Sequence, residues 1–359
     1  MSAAKGAALA FAAVLGATLL MAAPVALAPS ERLFGSSQSF GRQDDPFIVI
    51  EQFRTGRVPG PYLQPLTDLP GRALAGVLGP VAAYNVLVLA TFPLSAAAAY
   101  LLARHVAGCH LGAMVAALAY AFLPFHVAHA AYHPHVAQTQ WLPLYLLALW
   151  RCFDRPDILR ALLLLASAAA VVLSNFYGGL IAAVLSPVAL VAYAAVSPCR
   201  PGESRLRGLA LTSLALAAAA TAGFLLIHYF APGVLLRPGS LAFARAELFF
   251  YSAKWWSYLV PPVDHPLAGS GLREFWARRG VDWLLEQQVG VGWSLLVLGA
   301  VPPWLWLRGD RASPGVRWAP VLASVALAAL LCSLSPERRI GSFTFVRPSA
   351  LLYEVAPMF

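Results

Sequence analysis

Three groups of residues in this chain have types and spacings that suit chemistry. The first is Gln43-Asp44-Asp45-Pro46. Adjacent carboxylates position a divalent cation or act as general base toward a hydroxyl nucleophile. The same pair also caps a helix that opens at a proline, which needs no chemistry at all. Asp68, in Thr67-Asp68-Leu69-Pro70, reads as a helix cap rather than a reacting group. The second group is His126, His129, His133 and His135, followed by Gln138, Gln140 and Trp141. Positions 126, 129 and 133 share one helix face, and His133-Pro134-His135 breaks the helix. Neutral imidazoles bind a metal and protonated ones contact a phosphate. The unreactive alternative is an interfacial histidine bonded to backbone or lipid. The third group, Arg245, Glu247 and Lys254-Trp255-Trp256, sets cations beside tryptophans. That suits a boundary where a lipid phosphate lies, although an amphipathic helix resting on the membrane reads the same way.

The elements that must position these groups are membrane spans. Of the 359 residues 60% are hydrophobic and 11% charged, with mean hydropathy +0.69, which excludes an ordinary soluble domain. Apolar runs predict nine spans, near 7–28, 80–104, 111–125, 137–151, 158–174, 177–197, 206–230, 290–307 and 317–334. Lys5 and Ala26-Leu27-Ala28 give the first span a likeness to a secretory signal, but its length and the many later spans predict an uncleaved anchor. With the N-terminus inside, the inner tail and loops carry a net charge of +7, and the outer segments, about three times longer, carry +2. All three candidate groups then fall outside, in loops 29–72, 126–136 and 231–289. The predicted fold class is an all-α polytopic membrane protein of about nine transmembrane helices with two large outer loops.

Several functions lack support. The net charge of +9 is not clustered on one exposed domain, so no nucleic acid partner is expected. Cys109, Cys152, Cys199 and Cys332 have no C-x-x-C spacing, and three sit near the reducing side, which speaks against a zinc ribbon or structural disulfides. There is no phosphate-binding G-x-x-x-x-G-K-[ST] loop, G-x-G-x-x-G, G-x-S-x-G or H-E-x-x-H. Charges inside the spans are sparse, which weakens an ion-coupled transporter. Ser174-Asn175-Phe176-Tyr177-Gly178-Gly179 reads as a tight turn with an interfacial aromatic anchor.

The order of motifs is itself informative. An anchor span and acidic pair precede Pro80-Val81-Ala82-Ala83-Tyr84-Asn85, Tyr100-Leu101-Leu102-Ala103-Arg104 and Ala119-Tyr120-Ala121-Phe122-Leu123-Pro124. His133-Pro134-His135 and Gln140-Trp141-Leu142-Pro143-Leu144 follow. From about residue 5 to the end this resembles the GT-C superfamily of polytopic glycosyltransferases, most of all the bacterial YfhO-like branch. The resemblance implies a GT-C-like helical bundle over 1–334 in the bacterial inner membrane, its large loops facing the periplasm or exterior. It implies a polyprenyl-phosphate-linked sugar as donor and a glycan, lipid or protein acceptor. A carboxylate in the first outer loop, here Asp44 or Asp45, acts as base or metal ligand in such enzymes. His133 and His135 stand where many relatives place another acidic motif, which leaves open a divalent cation (Mg or Mn) held by Asp45 and His133. Contacts to substrate are expected from His133, His135, Gln140, Lys254 and Arg245. Residues 335–359 read as the start of a truncated outer segment. The alternatives are a transporter or flippase of lipid-linked precursors without catalysis, and a metal-binding membrane protein built on the histidines.

Overall fold

A computed structural model describes residues 1–35, 44–56, 64–196, 205–230, 244–263, 265, 268–281 and 285–355. Each expected span coincides with helix. These helices are α1 (Ala3–Met21, with a short α2 at Ala23–Leu27), α5 (Pro80–Ala107), α6 (His110–Ala121), α8 (Trp141–Asp154), α9 (Ile158–Ser174) and α10 (Phe176–Val196). The set continues with α11 (Arg205–Phe230), α14 (Trp293–Leu307) and α15 (Pro314–Ser333). Six segments are long and apolar enough to cross a membrane: α1, α5, His110–Tyr132, α10, the Arg205–Leu225 part of α11, and α15. The apolar α9 and α14 are shorter, with 17 and 15 residues. Large aliphatic side chains on the spans, such as Leu111 (78% exposed) and Val191 (67%), point away from the protein. An exposed aliphatic surface of that kind is stable in hydrocarbon and not in water. The chain is thus an α-helical polytopic membrane protein.

Small residues let the helices approach closely, as expected where lipid removes any hydrophobic drive between them. Ala7, Ala10 and Val14 of α1 and Ala113, Ala117 and Ala121 of α6 pack with Tyr84, Phe92 and Tyr100 of the central α5. A second core joins Leu149, Trp150 and Phe153 of α8 to Ala189 and Tyr193 of α10, with Trp318 of α15 against it. Trp150 is fully buried, donates its indole N–H to the Ala189 carbonyl at 3.3 Å, and meets the Trp318 ring at 4.7 Å between centroids.

The segments read as outer loops hold structure of their own. The first contains α3 (Asp44–Thr55) and α4 (Pro65–Leu78). The third expected span breaks at Phe122 and Leu123, and Pro124 starts α7 (Pro124–Tyr132), which carries two of the histidines. The later segment holds α12 (Arg245–Tyr251) and α13 (Gly269–Ala277). Beyond α15 come β1 (Glu337–Ile340), β2 (Phe343–Val346) and α16 (Pro348–Val355), so among the described residues the helical fold carries one short antiparallel hairpin. A third cluster, Ala131, Tyr132, Val263, Trp276 and Leu285, packs these later elements under the end of α7.

Gly290 lies where the later segment crosses itself. A Cβ there would press into the Val260 carbonyl oxygen, a backbone atom that has no rotamer to escape into. Gly290→Ala should therefore destabilise the fold by about 1–3 kcal/mol through overpacking. Thermal unfolding in detergent reads this directly, and an unchanged midpoint would mean that the crossing has slack.

Candidate functional site

Where α3, α4, α7, α12 and α15 converge there is a cavity of about 1210 Å³ with a mostly apolar wall. Typical ligand pockets hold about 300–1,000 Å³, so this one suits a large amphipathic molecule. The wall draws on residues from position 48 to position 352.

On one side stands Asp68. Pro65 fixes the first helical position of α4, and Gln64 is its N-cap, so Asp68 falls one turn in. Thr67 beside it donates its hydroxyl to the Ser174 carbonyl at 2.8 Å, which pins α4 to the end of α9. Gly71 lets the Phe53 ring of α3 lie directly against α4. Burial pushes the Asp68 carboxyl up to about 6, against the opposing pull of the Gln64 backbone and the Arg72 charge. The helix opens at Pro65 with Gln64 as its N-cap and runs on through Pro70, so Asp68 is not the cap expected from sequence, although it keeps a bond to the Gln64 backbone. Sequence reasoning missed both its position in the cavity wall and its raised carboxyl. Glu247, named with Arg245 in the third group, also lies in the wall, together with Glu286, which was not singled out.

Opposite runs the histidine ladder, which the sequence placed on one face. His126 is 1% exposed and fully engaged: Nε2 meets the Thr91 hydroxyl at 2.9 Å, Nδ1 meets the Ala121 carbonyl at 2.7 Å, and the ring stacks on Phe92. These contacts fix its ring, which also forms part of the cavity wall. His129 and His133 share a hydrogen bond between their Nδ1 atoms at 3.1 Å, and the rings of His133 and His135 lie 5.9 Å apart. His129 is 5% exposed, and its Nε2 has no hydrogen-bond partner among the described residues. His129, His133 and His135 all line the cavity.

The remaining expected residues are dispersed. Asp44 and Asp45 open α3, whose Ile48, Val49 and Gln52 line the cavity one to two turns further on; their side chains lie outside the described residues. Gln138 is in the wall, and Gln140 sits behind it, donating its amide N–H to the Gln138 side-chain oxygen at 2.6 Å. Arg245 is not in the wall; it pairs with Glu337 at 3.5 Å. Lys254 is not in the wall either, and its ammonium donates to the Phe249 carbonyl at 2.7 Å. Burial and the neighbouring Arg347 charge hold its pKa below the usual lysine value. Among the described residues the wall contains no Lys or Arg, so its polar donors are the imidazole, amide, hydroxyl and indole groups of residues such as His133, Gln138, Asn175, Tyr177 and Trp141. No three His, Cys, Asp or Glu side chains among the described residues are grouped to hold a metal ion. Of the pair expected to hold a divalent cation, His133 lines the cavity and the side chain of Asp45 lies outside the described residues.

The arrangement can bind an amphipathic ligand, accept a proton at Asp68, and donate hydrogen bonds to an anionic or hydroxylated head group. No protein-family model, no curated protein and no solved structure matches this chain.

Proposed function

We propose that the protein is a membrane glycosyltransferase of the GT-C kind, with about nine spans, acting on the outer face of a bacterial inner membrane. It moves a sugar from a polyprenyl-phosphate-linked donor to a hydroxyl of a glycan, lipid or protein acceptor. The observation that carries the reading is the large, mostly apolar cavity with a carboxylate of raised pKa in its wall, contributed by the segment that follows the first span. An apolar wall accommodates the polyprenyl chain. His133, His135 and Gln138 supply hydrogen bonds for the phosphate and sugar. The acceptor oxygen attacks the anomeric carbon, its proton passes to Asp68, and the bond from the anomeric carbon to the phosphate oxygen breaks, with polyprenyl phosphate leaving. Asp44 and Asp45, at the start of α3 in the same loop, orient the acceptor. Holding both reactants in one water-poor cavity contributes through orientation and through charge interactions that bulk water would weaken.

The test is transfer from a panel of radiolabelled polyprenyl-phosphate sugars by the purified protein in vesicles, compared with the double variant Asp44→Asn/Asp45→Asn and with Asp68→Asn. Turnover by the wild type that collapses in one or both variants is the expected result. Folded wild-type protein that turns over no donor, yet moves labelled polyprenyl phosphate across the bilayer, would replace this reading with a flippase.

A further inference from the structure

The β1–β2 hairpin presents an exposed apolar face just beyond the last membrane-crossing helix of the described chain. Its antiparallel register pairs Arg338 with Phe345 and Ile340 with Phe343, so one face presents Arg338, Ile340, Phe343 and Phe345. Ile340, Phe343 and Phe345 are 55%, 72% and 55% exposed. An isolated two-stranded hairpin is marginal in water, and three large apolar side chains on an uncovered face make it more so.

Its root, in contrast, is firmly tied. The Arg347 N–H donates to the Pro336 carbonyl at 2.8 Å, and the Arg347 guanidinium to the Ser335 hydroxyl at 2.9 Å. The Ser349 hydroxyl donates to the Leu334 carbonyl at 2.6 Å, and Glu337 pairs with Arg245. Only Leu334, Ser335 and Pro336 separate the hairpin from α15, a segment long and apolar enough to cross a membrane. Four residue steps reach at most about 14 Å, so the hairpin lies at the level where that span leaves the bilayer. The hairpin's single acid, Glu337, is paired, whereas Arg338 and Arg339 are exposed. Ser333 just before the hairpin and Ser349 just after it both line the cavity.

We propose that this hairpin is a lipid-surface anchor. Ile340, Phe343 and Phe345 enter the interfacial layer of the bilayer, while Arg338 and Arg339 meet anionic headgroup phosphates. The anchor holds the adjoining cavity wall at headgroup level. The proposal rests on the hairpin's position, exposed face and charge, and is independent of glycosyl transfer.

The experiment uses full-length protein in vesicles of phosphatidylethanolamine and phosphatidylglycerol. The photoreactive p-benzoylphenylalanine is placed at Phe343, at Phe345 or, on the opposite face, at Thr344, and adducts are identified by mass spectrometry after illumination. Phospholipid adducts should form at 343 and 345 several-fold more than at 344. In the background of Arg338→Gln or Arg339→Gln, the phosphatidylglycerol adducts should drop by about five-fold for each arginine replaced. Adducts to peptide at 343 and 345 would overturn the proposal by showing a protein segment or a second copy on this face. Equal yields at all three positions, or none, would overturn it equally.

Discussion

Asp68→Asn should lower sugar transfer by about 10²–10⁴-fold, the usual contribution of a positioned general base, with little change in donor binding. The substitution is nearly isosteric. The amide oxygen still accepts the bond from the Gln64 backbone, so the first turn of α4 keeps its contact. What disappears is the ability to take a proton. A structural role predicts the opposite pattern, namely loss of folded protein with normal turnover per folded molecule. The decisive readout is therefore kcat against KM on the purified variant. Full transfer by Asp68→Asn would move the base elsewhere and leave Asp44 and Asp45 as the carboxylates of that loop to examine.

The pH dependence separates the two roles further. A base must be ionised, so wild-type transfer should rise with pH through about 6, where burial sets this carboxyl. The stability effect has the opposite sign. The fold prefers the neutral form, so the stabilisation is complete below the ordinary aspartate value of 3.8 and is lost as pH rises through about 6. Asp68→Asn removes the titrating group. The acidic limb of the rate profile should vanish from the residual activity, and the unfolding midpoint should stop falling between pH 4 and 7. A rate profile in the variant with the same limb as wild type would show that another group titrates there.

Much of this fold was legible because a span declares itself by composition alone. About twenty apolar residues mark it wherever the chain later packs; a helix stands at each expected span, and six segments of the described chain are long and apolar enough to cross. Pro124 lay inside the expected span 111–125 and instead starts α7, so that break was not read. The site was less legible, because a cavity wall is assembled by contacts across nearly the whole chain. The residue type and the following Leu69-Pro70 gave a cap at Asp68, but the helix opens at Pro65 with Gln64 as N-cap, which puts Asp68 one turn inside it. Arg245 and Lys254 show the converse. Their types suit a lipid phosphate, but Arg245 finds Glu337 and Lys254 finds a carbonyl within its own segment. Nothing local to residues 231–289 encodes a partner that arrives from beyond α15. Periodicity put three histidines on one face, but it did not distinguish His126, held by Thr91 on a different helix, from His129, whose Nε2 has no such partner.

Asn85→Leu should cost about 2–4 kcal/mol and free the segment that leads toward α3. Asn85, on α5, is 1% exposed and uses its whole amide on one short stretch of chain. Its oxygen accepts the Phe34 N–H at 2.8 Å, and its nitrogen donates to the Pro29 and Arg32 carbonyls, both at 2.7 Å. Leucine fills a similar volume but strands one N–H and two carbonyls. Each buried orphan costs about 1–3 kcal/mol, less what water recovers once the segment lifts away. Asn85→Asp isolates the two donor bonds: it keeps the acceptor for Phe34 but points a carboxylate at two carbonyl oxygens. It should therefore also destabilise, with partial relief at low pH, where a protonated oxygen can donate to one of them. Limited proteolysis between residues 29 and 43, followed alongside thermal unfolding, reads both effects. Faster cleavage with a lowered midpoint is expected in each variant. Cleavage and midpoint as in wild type would mean that other contacts hold this segment and that Asn85 does not tether it. The functional consequence follows from position. Phe34 is ten residues before Asp44, so releasing it loosens the approach to the helix that brings Ile48, Val49 and Gln52 to the cavity wall. If the carboxylates of this loop serve the reaction, transfer should fall in Asn85→Leu even at temperatures where the bundle stays folded.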